Sequence, residues 1–186
     1  MIRARHQEEV DARHIQLNEL LRTELAFLEA NLFFKHEIEK IYDFDSDLPE
    51  VWGVYGDFSQ ALLNIINNAI DAMYDTPQKV LKVRTRRDDG CVKVEIEDTG
   101  VGMTDKVKER IFEPFFTTKP SMDSEDSEGR KGTGLGLSGS RQLLARYDGK
   151  IDVQSQTGKG STFSVLLPIT DKARERCPEE QEHAIA

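Results

Sequence analysis

Residues 95 to 103, Glu-Ile-Glu-Asp-Thr-Gly-Val-Gly-Met, constrain this chain more than any other stretch. Val92, Val94 and Ile96 alternate at period two and predict a half-buried strand. The strand ends on an acid, Asp98, and Gly100 and Gly102 follow it. Glycine admits positive φ and lacks the Cβ that would block a close neighbour. The stretch therefore predicts a buried carboxylate at a strand end, beside a backbone that bends sharply and comes close to something. Such a carboxylate accepts a hydrogen bond from an exocyclic amine, N6 of adenine being one. Asp-Thr-Gly-x-Gly is also ordinary turn chemistry. Alone, the stretch leaves a plain strand exit equally open.

A second pattern precedes it. Phe58, Ala61, Leu62, Ile65, Ile66, Ala69 and Met73 form one apolar stripe at 3.6 periodicity, a core helix expected to start at Asp57 as N-cap. Asn64, Asn68 and Asp71 share another face, with Asn67 beside them. A solvated helix face normally carries Glu, Lys and Gln, whereas Asn competes with the helix backbone. Three Asn in five positions therefore point to a cleft, where amide oxygens bind a hard cation such as Mg²⁺ or position water.

A third pattern follows. Gly132-Thr133-Gly134-Leu135-Gly136-Leu137 runs into a helix over residues 137–147. Glycines at a helix N-terminus expose backbone N–H groups and the positive end of the dipole, an arrangement suited to phosphates. The Walker pattern is absent, since no Gly-Lys-Ser/Thr follows these glycines, and in Gly158-Lys159-Gly160 the lysine is followed by glycine. A loop rather than a clean strand comes before the glycines, which excludes the usual dinucleotide unit.

The remaining segments read as follows. Val10, Leu17, Leu20, Leu21, Leu25 and Leu28 recur at helical spacing, so residues 1–30 are expected to be helical, the end of a longer preceding helix. Residues 33–44 alternate loosely and predict a strand; Asp47, Leu48 and Pro49 make a turn before a short strand at 51–54. Residues 79–87 and 91–98 predict a hairpin closed at Asp88, Asp89 and Gly90. Lys106 to Ile111 reads as a short helix, followed by Phe112-Glu113-Pro114-Phe115-Phe116-Thr117-Thr118-Lys119. Residues 120–131 are polar and predict a mobile loop. Gly158 and Gly160 flank a turn between strands at 150–156 and 161–168, and residues 171–186 predict a charged, disordered tail.

The net charge of −9 argues against nucleic acid as a partner, because phosphate neutralisation needs a basic surface. No stretch approaches the roughly 20 apolar residues of a membrane span. Cys91 and Cys177 lack metal or redox spacing, which fits a reducing cytoplasm.

Four stretches now stand in a fixed order: Asn64-Ile-Ile-Asn-Asn-Ala69, Asp98-Thr-Gly-Val-Gly102, Phe112-Glu-Pro-Phe-Phe116 and Gly132-Thr-Gly-Leu-Gly-Leu137. Each alone is weak; in this order they resemble the N, G1, F and G2 boxes of the catalytic ATP-binding domain of bacterial sensor histidine kinases. The resemblance covers roughly residues 16 to 168. It implies an α/β (α+β) two-layer sandwich, the Bergerat fold, with a mixed, mostly antiparallel sheet packed against helices. It also implies a domain over 31–170 that binds ATP or ADP with Mg²⁺. By the resemblance Asp98 binds the adenine amine, and Gly100 and Gly102 let the backbone approach the base. Asn68 ligates Mg²⁺, Asn64 is a metal or water contact by the phosphates, and Asp71 lies in the same cleft. Gly132, Thr133, Gly134, Leu135, Gly136 and Leu137 surround the phosphates, and Lys119 reaches the γ-phosphate. Ser161 or Thr162 completes the adenine pocket through water.

The chain departs from the family in two ways. Many members carry Lys-Tyr where this one has Asp71 and Ala72, a variant similar to the nitrogen-sensor-like branch. Lys119 or Arg130 is then expected to replace the missing basic contact. The family's phosphoacceptor, a helical His-Glu/Asp followed by Pro-Leu, is also missing. Of the four histidines, His6, His14, His36 and His183, none has that arrangement: His36 precedes Glu37 but no proline follows, in a segment read as strand, and His14 falls in the expected helix. The chain is thus expected to act on a histidine in a separate dimerisation domain and to serve a response-regulator receiver domain. It would stand in the cytoplasm, with no membrane contact of its own. Two other ATP-dependent classes share the boxes. ATPases of the topoisomerase, Hsp90 and mismatch-repair type place a general base, Glu, where Asn64 stands, and anti-sigma-factor-like serine kinases usually lack the long aromatic F box.

Overall fold

In a computed structural model, residues 12–119 and 132–169 are described. The sequence expectations for residues 1–11, 120–131 and 170–186 fall outside them. Five strands form the main sheet in the order β2-β4-β5-β7-β6, where β2 is Glu39–Phe44, β4 Val80–Asp88, β5 Cys91–Asp98, β6 Lys150–Gln156 and β7 Gly160–Pro168. Only the β2–β4 pair is parallel. Two short strands, β1 (Ala12–Ile15) and β3 (Val51–Val54), pair antiparallel as a separate ribbon. The helices are α1 (Leu17–Leu28), α2 (Leu32–Glu37), α3 (Tyr55–Ala72), α4 (Asp105–Lys108) and α5 (Gly136–Ala145).

The layers follow from the two periodicities. Along β5, Val92, Val94, Ile96 and Asp98 face the helices and are buried, whereas Lys93, Glu95 and Glu97 face away. The outward face carries alternating charge: Lys82 pairs with Glu97, Arg84 with Glu95 and Glu97, and Lys93 with Glu95. The inward face meets the stripe of α3, in which Phe58, Ala61, Leu62, Ile65, Ile66, Ala69 and Met73 are all buried. Ile15, Leu17, Leu20, Leu21 and Leu25 join the same apolar cluster. Residues 15–25 therefore contribute to this core. At residues 89 and 90 the φ values of 34° and 85° give the β4–β5 turn its left-handed pair, as the Asp-Asp-Gly sequence predicts.

Three local expectations fail. Residues 12–15 are strand, and the helix begins only at Leu17, with the Gln16 side chain accepting from Asn18 N–H. His14 therefore lies on a strand, edge-on to the Trp52 ring of β3. Residues 32–37 are helix, and the strand starts at Glu39. Asn31 is the cap that starts this helix, its side chain accepting from Phe34 N–H at 3.1 Å. His36 thus sits exposed on a helix of six residues. Finally, Val54 rather than Asp57 is the N-cap of α3. Asp57 lies in the first turn and accepts from the Tyr147 hydroxyl at 2.6 Å, tying α3 to the chain after α5. Cys91 is buried against Leu166 on the other face of the sheet.

Candidate nucleotide-binding site

The C-terminal half of α3, the exit of β5 and the start of β7 converge at one end of the sheet. Asp98 is the last residue of β5 and directly faces Ser161 of β7 across the ladder. Its side chain is 2% exposed, and its Oδ1 accepts from Gly100 N–H at 2.8 Å. Burial pushes the carboxyl up to about 6 from an ordinary 3.8, against the opposing pull of backbone N–H donors at Gly100 and Ser161. It opens into a cavity of about 280 Å³ whose apolar wall includes Ala72, Val101, Met103, Ile111, Phe116, Leu137 and Phe163. Ser161 lines this cavity and Thr162 does not; both border a different one, with Glu97, Asp98 and Gln154. Successive residues of β7 point to opposite faces, so only Ser161 shares the larger cavity with Asp98.

Asn68 and Asp71 line the mouth of the same cavity, together with Thr117, Thr118 and Lys119. A second cavity of about 210 Å³ adjoins it, bounded by Asn64, Asn67 and Asn68 on one side and by Gly132, Thr133, Gly134, Gly136 and Leu137 on the other. Asn64 spends its amide N–H groups on the glycine-rich side: Nδ2 donates to the Gly136 carbonyl and to Ser140 Oγ, each at 3.3 Å. The helix α5 begins at Gly136 with no side-chain cap, so its first-turn N–H groups border the same space. Leu135, the residue before α5, is 45% exposed and lines neither cavity. Gly100 and Thr162 also line neither cavity, and the other candidate residues each line one or both.

The glycines of the β5 exit have a steric reason that the sequence did not show. A Cβ on Gly100 would stand 2.6 Å from Ala72 Cβ and 2.7 Å from its carbonyl oxygen, at the end of α3. Val101 N–H donates to that same Ala72 carbonyl at 3.0 Å, capping the helix. Gly102 has φ of 63°, and a Cβ there would meet the Gln156 carbonyl oxygen at 2.1 Å. Ser155, which sequence reasoning missed, links the pieces. Its Oγ accepts from Met103 N–H at 2.9 Å, donates to the Gly160 carbonyl at 3.0 Å and stands 3.0 Å from Ser161 Oγ. A serine in a strand carries no signal for that role; only the fold brings it there.

The site combines an apolar slot with a buried carboxylate, a helix face of amide oxygens, and glycines at a helix start. The family model described as histidine kinase-, DNA gyrase B- and HSP90-like ATPase matches residues 53–171 of the chain, a span that contains all of them. The chain belongs to this family. Within it, the chain is similar to sporulation kinase E of Bacillus subtilis, 30% identical over 164 residues that cover 88% of this chain and 21% of the relative. It is similar also to sensor kinase CckA of Brucella abortus, 37% identical over 170 residues covering 83% and 17%. The chain thus spans about a fifth of the length of these curated relatives. Among solved structures, the catalytic domain of histidine kinase ThkA superposes with a TM-score of 0.71 at 29% identity, covering 86% of this chain and 98% of that one. This ATPase-family member has the ATP-binding catalytic domain of a sensor histidine kinase.

Proposed function

We propose that this domain binds Mg·ATP and presents the γ-phosphate to a histidine on a separate dimerisation domain, with a response-regulator receiver as the downstream partner. The observation that carries the reading is the buried Asp98 carboxylate on an apolar slot that it shares with Asn68 and Asp71 of α3. Asp98 would accept from the adenine amine, with Ser161, rather than Thr162, as its neighbour on the pocket wall. The amide oxygen of Asn68 and the carboxylate of Asp71 are hard oxygen donors, and they suit Mg²⁺, which takes one or two protein oxygens and fills its shell from phosphates and water. Bound there, the ion would neutralise phosphate charge. Asn64 would orient the phosphates or a water, and the backbone of Gly132 to Leu137 would line their other side. Lys119 would supply positive charge to the γ-phosphate.

Transfer rather than hydrolysis follows from Asn64. An amide cannot take a proton from water, so the position lacks the general base that hydrolytic members use. Positioning and charge neutralisation remain, which suffice for transfer to an in-line nucleophile. In this reading the acceptor is a histidine of the separate domain; neither cavity is lined by a histidine among the described residues. ThkA has been solved in complex with the response regulator TrrA, which supports a receiver domain as partner here. No helix of the described residues is long and apolar enough to cross a membrane. We place the domain in the cytoplasm, as a free protein or the inner part of a membrane-bound sensor. The Asp71-Ala72 pair supports the nitrogen-sensor-like branch. The test is incubation with γ-labelled ATP, alone and with a separately made helical domain carrying the family's histidine motif. Acid-labile label on the added domain alone is expected. Stable self-labelling lost on mutation of His14 or His36 would overturn the reading.

A further inference from the structure

Lys119 is held at three points. Its backbone N–H donates to Thr117 Oγ1 at 3.1 Å. Its stem packs on Gly132, where an added Cβ would come within 3.0 Å of Lys119 Cβ and 3.1 Å of its Cδ. Its ammonium donates to Asn68 Oδ1 at 2.9 Å and to Asp71 Oδ2 at 2.5 Å. Asn68 and Asp71 are three residues apart on α3 and present their oxygens from one face. Two oxygens, one neutral and one anionic, therefore converge on a single tethered cation.

The same two oxygens are the ones that suit a divalent ion. An ammonium and a metal ion cannot both occupy them, because their like charges would stand within contact distance. We propose that Asp71 is a positioning residue that makes Lys119 the resident cation of the site. The ammonium holds the oxygens of Asn68 and Asp71 until a divalent ion displaces it, and the displaced ammonium is left at the mouth of the phosphate cavity. Only that last step rests on the nucleotide reading. Asp71 matters because lysine is a point charge on a flexible stem. A neutral amide alone would not fix it. Without Lys119, Asp71 would be an uncompensated negative charge facing an anionic ligand. The two roles of Asp71, positioning a cation or repelling an anion, thus predict opposite signs on its removal.

Two measurements decide it. In the first, Mn²⁺ alone, a paramagnetic stand-in for Mg²⁺, is titrated into nucleotide-free protein while broadening of the Asn68 side-chain amide resonance is followed. Lys119→Met vacates the two oxygens, so the midpoint should fall about tenfold against wild type. Lys119→Gln repeats the comparison with a polar replacement. Equal midpoints, or no broadening in any of the three proteins, would overturn the proposal. In the second, ADP is titrated calorimetrically in EDTA into wild type, Asp71→Asn, Lys119→Met and the double variant. Asp71→Asn should weaken metal-free binding by about three- to tenfold and have no further effect in the Lys119→Met background. Tighter binding by Asp71→Asn would show a merely repelling charge and sink the idea. If ADP binds none of the four, the nucleotide reading fails on its own, and the Mn²⁺ titration still decides the role of Lys119.

Discussion

Replacing Asp98 by Asn should move two observables in opposite directions. The carboxylate is 2% exposed and its pKa is raised from 3.8 to about 6. A raised folded-state value means that the folded protein binds the proton more tightly than the unfolded chain. The stability this group contributes is fully present below pH ~4 and is lost as pH rises through 6, about 3 kcal/mol from a shift of roughly two units. Asn carries no such penalty. It keeps one acceptor oxygen for the Gly100 N–H but turns an amide N–H₂ towards the rest of the pocket, at a cost of roughly 1–3 kcal/mol for one mismatched donor. The variant should therefore be as stable as wild type at pH 7.5 or more stable, and its advantage should shrink at pH 4.5. Binding should go the other way. Losing one charge-assisted hydrogen bond to the adenine amine costs about 1.5–3 kcal/mol, roughly 10- to 150-fold in Kd. Urea unfolding at the two pH values and calorimetry with ADP measure both. An affinity within twofold of wild type would refute the adenine assignment. A collapse of stability at pH 7.5 would refute the claim that Asp98 is held ionised at the fold's expense.

Between pH 8 and pH 5 the wild type should lose ADP affinity, up to about tenfold as Asp98 with its pKa of about 6 protonates, while Asp98→Asn stays flat; parallel curves would implicate a different group. Asn68→Ala should weaken ATP binding in Mg²⁺ with little effect in EDTA, and equal losses would make Asn68 a packing residue. Gly160→Ala would place a Cβ 1.9 Å from the Asp98 carbonyl oxygen at a φ of +100°. It should cost roughly 3 kcal/mol or more of stability, and an unchanged unfolding midpoint would contradict the clash. Asn18→Ala should cost roughly 1–3 kcal/mol, because buried Asn18 donates to the Asp45 carbonyl at 2.7 Å and accepts from Thr85 Oγ1 at 2.8 Å; a thermal melt that matches wild type would refute it.

The long elements were legible because one period dominates over many residues. The seven apolar positions of α3 fit 3.6 and nothing else, and the alternation of β5 fits 2. Short segments fail where the two periods coincide. Phe34 and Ile38, both buried, are four residues apart, a spacing that belongs equally to a helix face and a strand face. Asn31 was the available signal, as a capping residue ahead of the run. At the other end, the leucines of α1 drew Val10 and the start of the chain into one helical reading. The structure instead pairs Ile15 with Val51 in the ribbon, a contact 36 residues distant that no local window contains. The site itself was readable as residue types: acid, amides, glycines. What could not be read was mutual placement, such as the ammonium of Lys119 on Asp71 or the hydroxyl of Ser155 beneath Met103.

The turn after Asp98 is fastened to the β6–β7 hairpin almost wholly through main-chain atoms. Gly158 N–H donates to the Val101 carbonyl at 2.8 Å, and the missing side chains of Gly102 and Gly160 admit the carbonyls of Gln156 and Asp98. Such a joint is indifferent to what most of its residues are, and intolerant only where nothing but hydrogen fits. Lys159 is exposed and lines neither cavity of the site. In a saturation library scored for nucleotide binding, this position should accept most substitutions while Gly102 and Gly160 accept almost none. A lineage descending from this chain could therefore rewrite the outer surface of this hairpin, and with it whatever meets that surface, without touching the cavity.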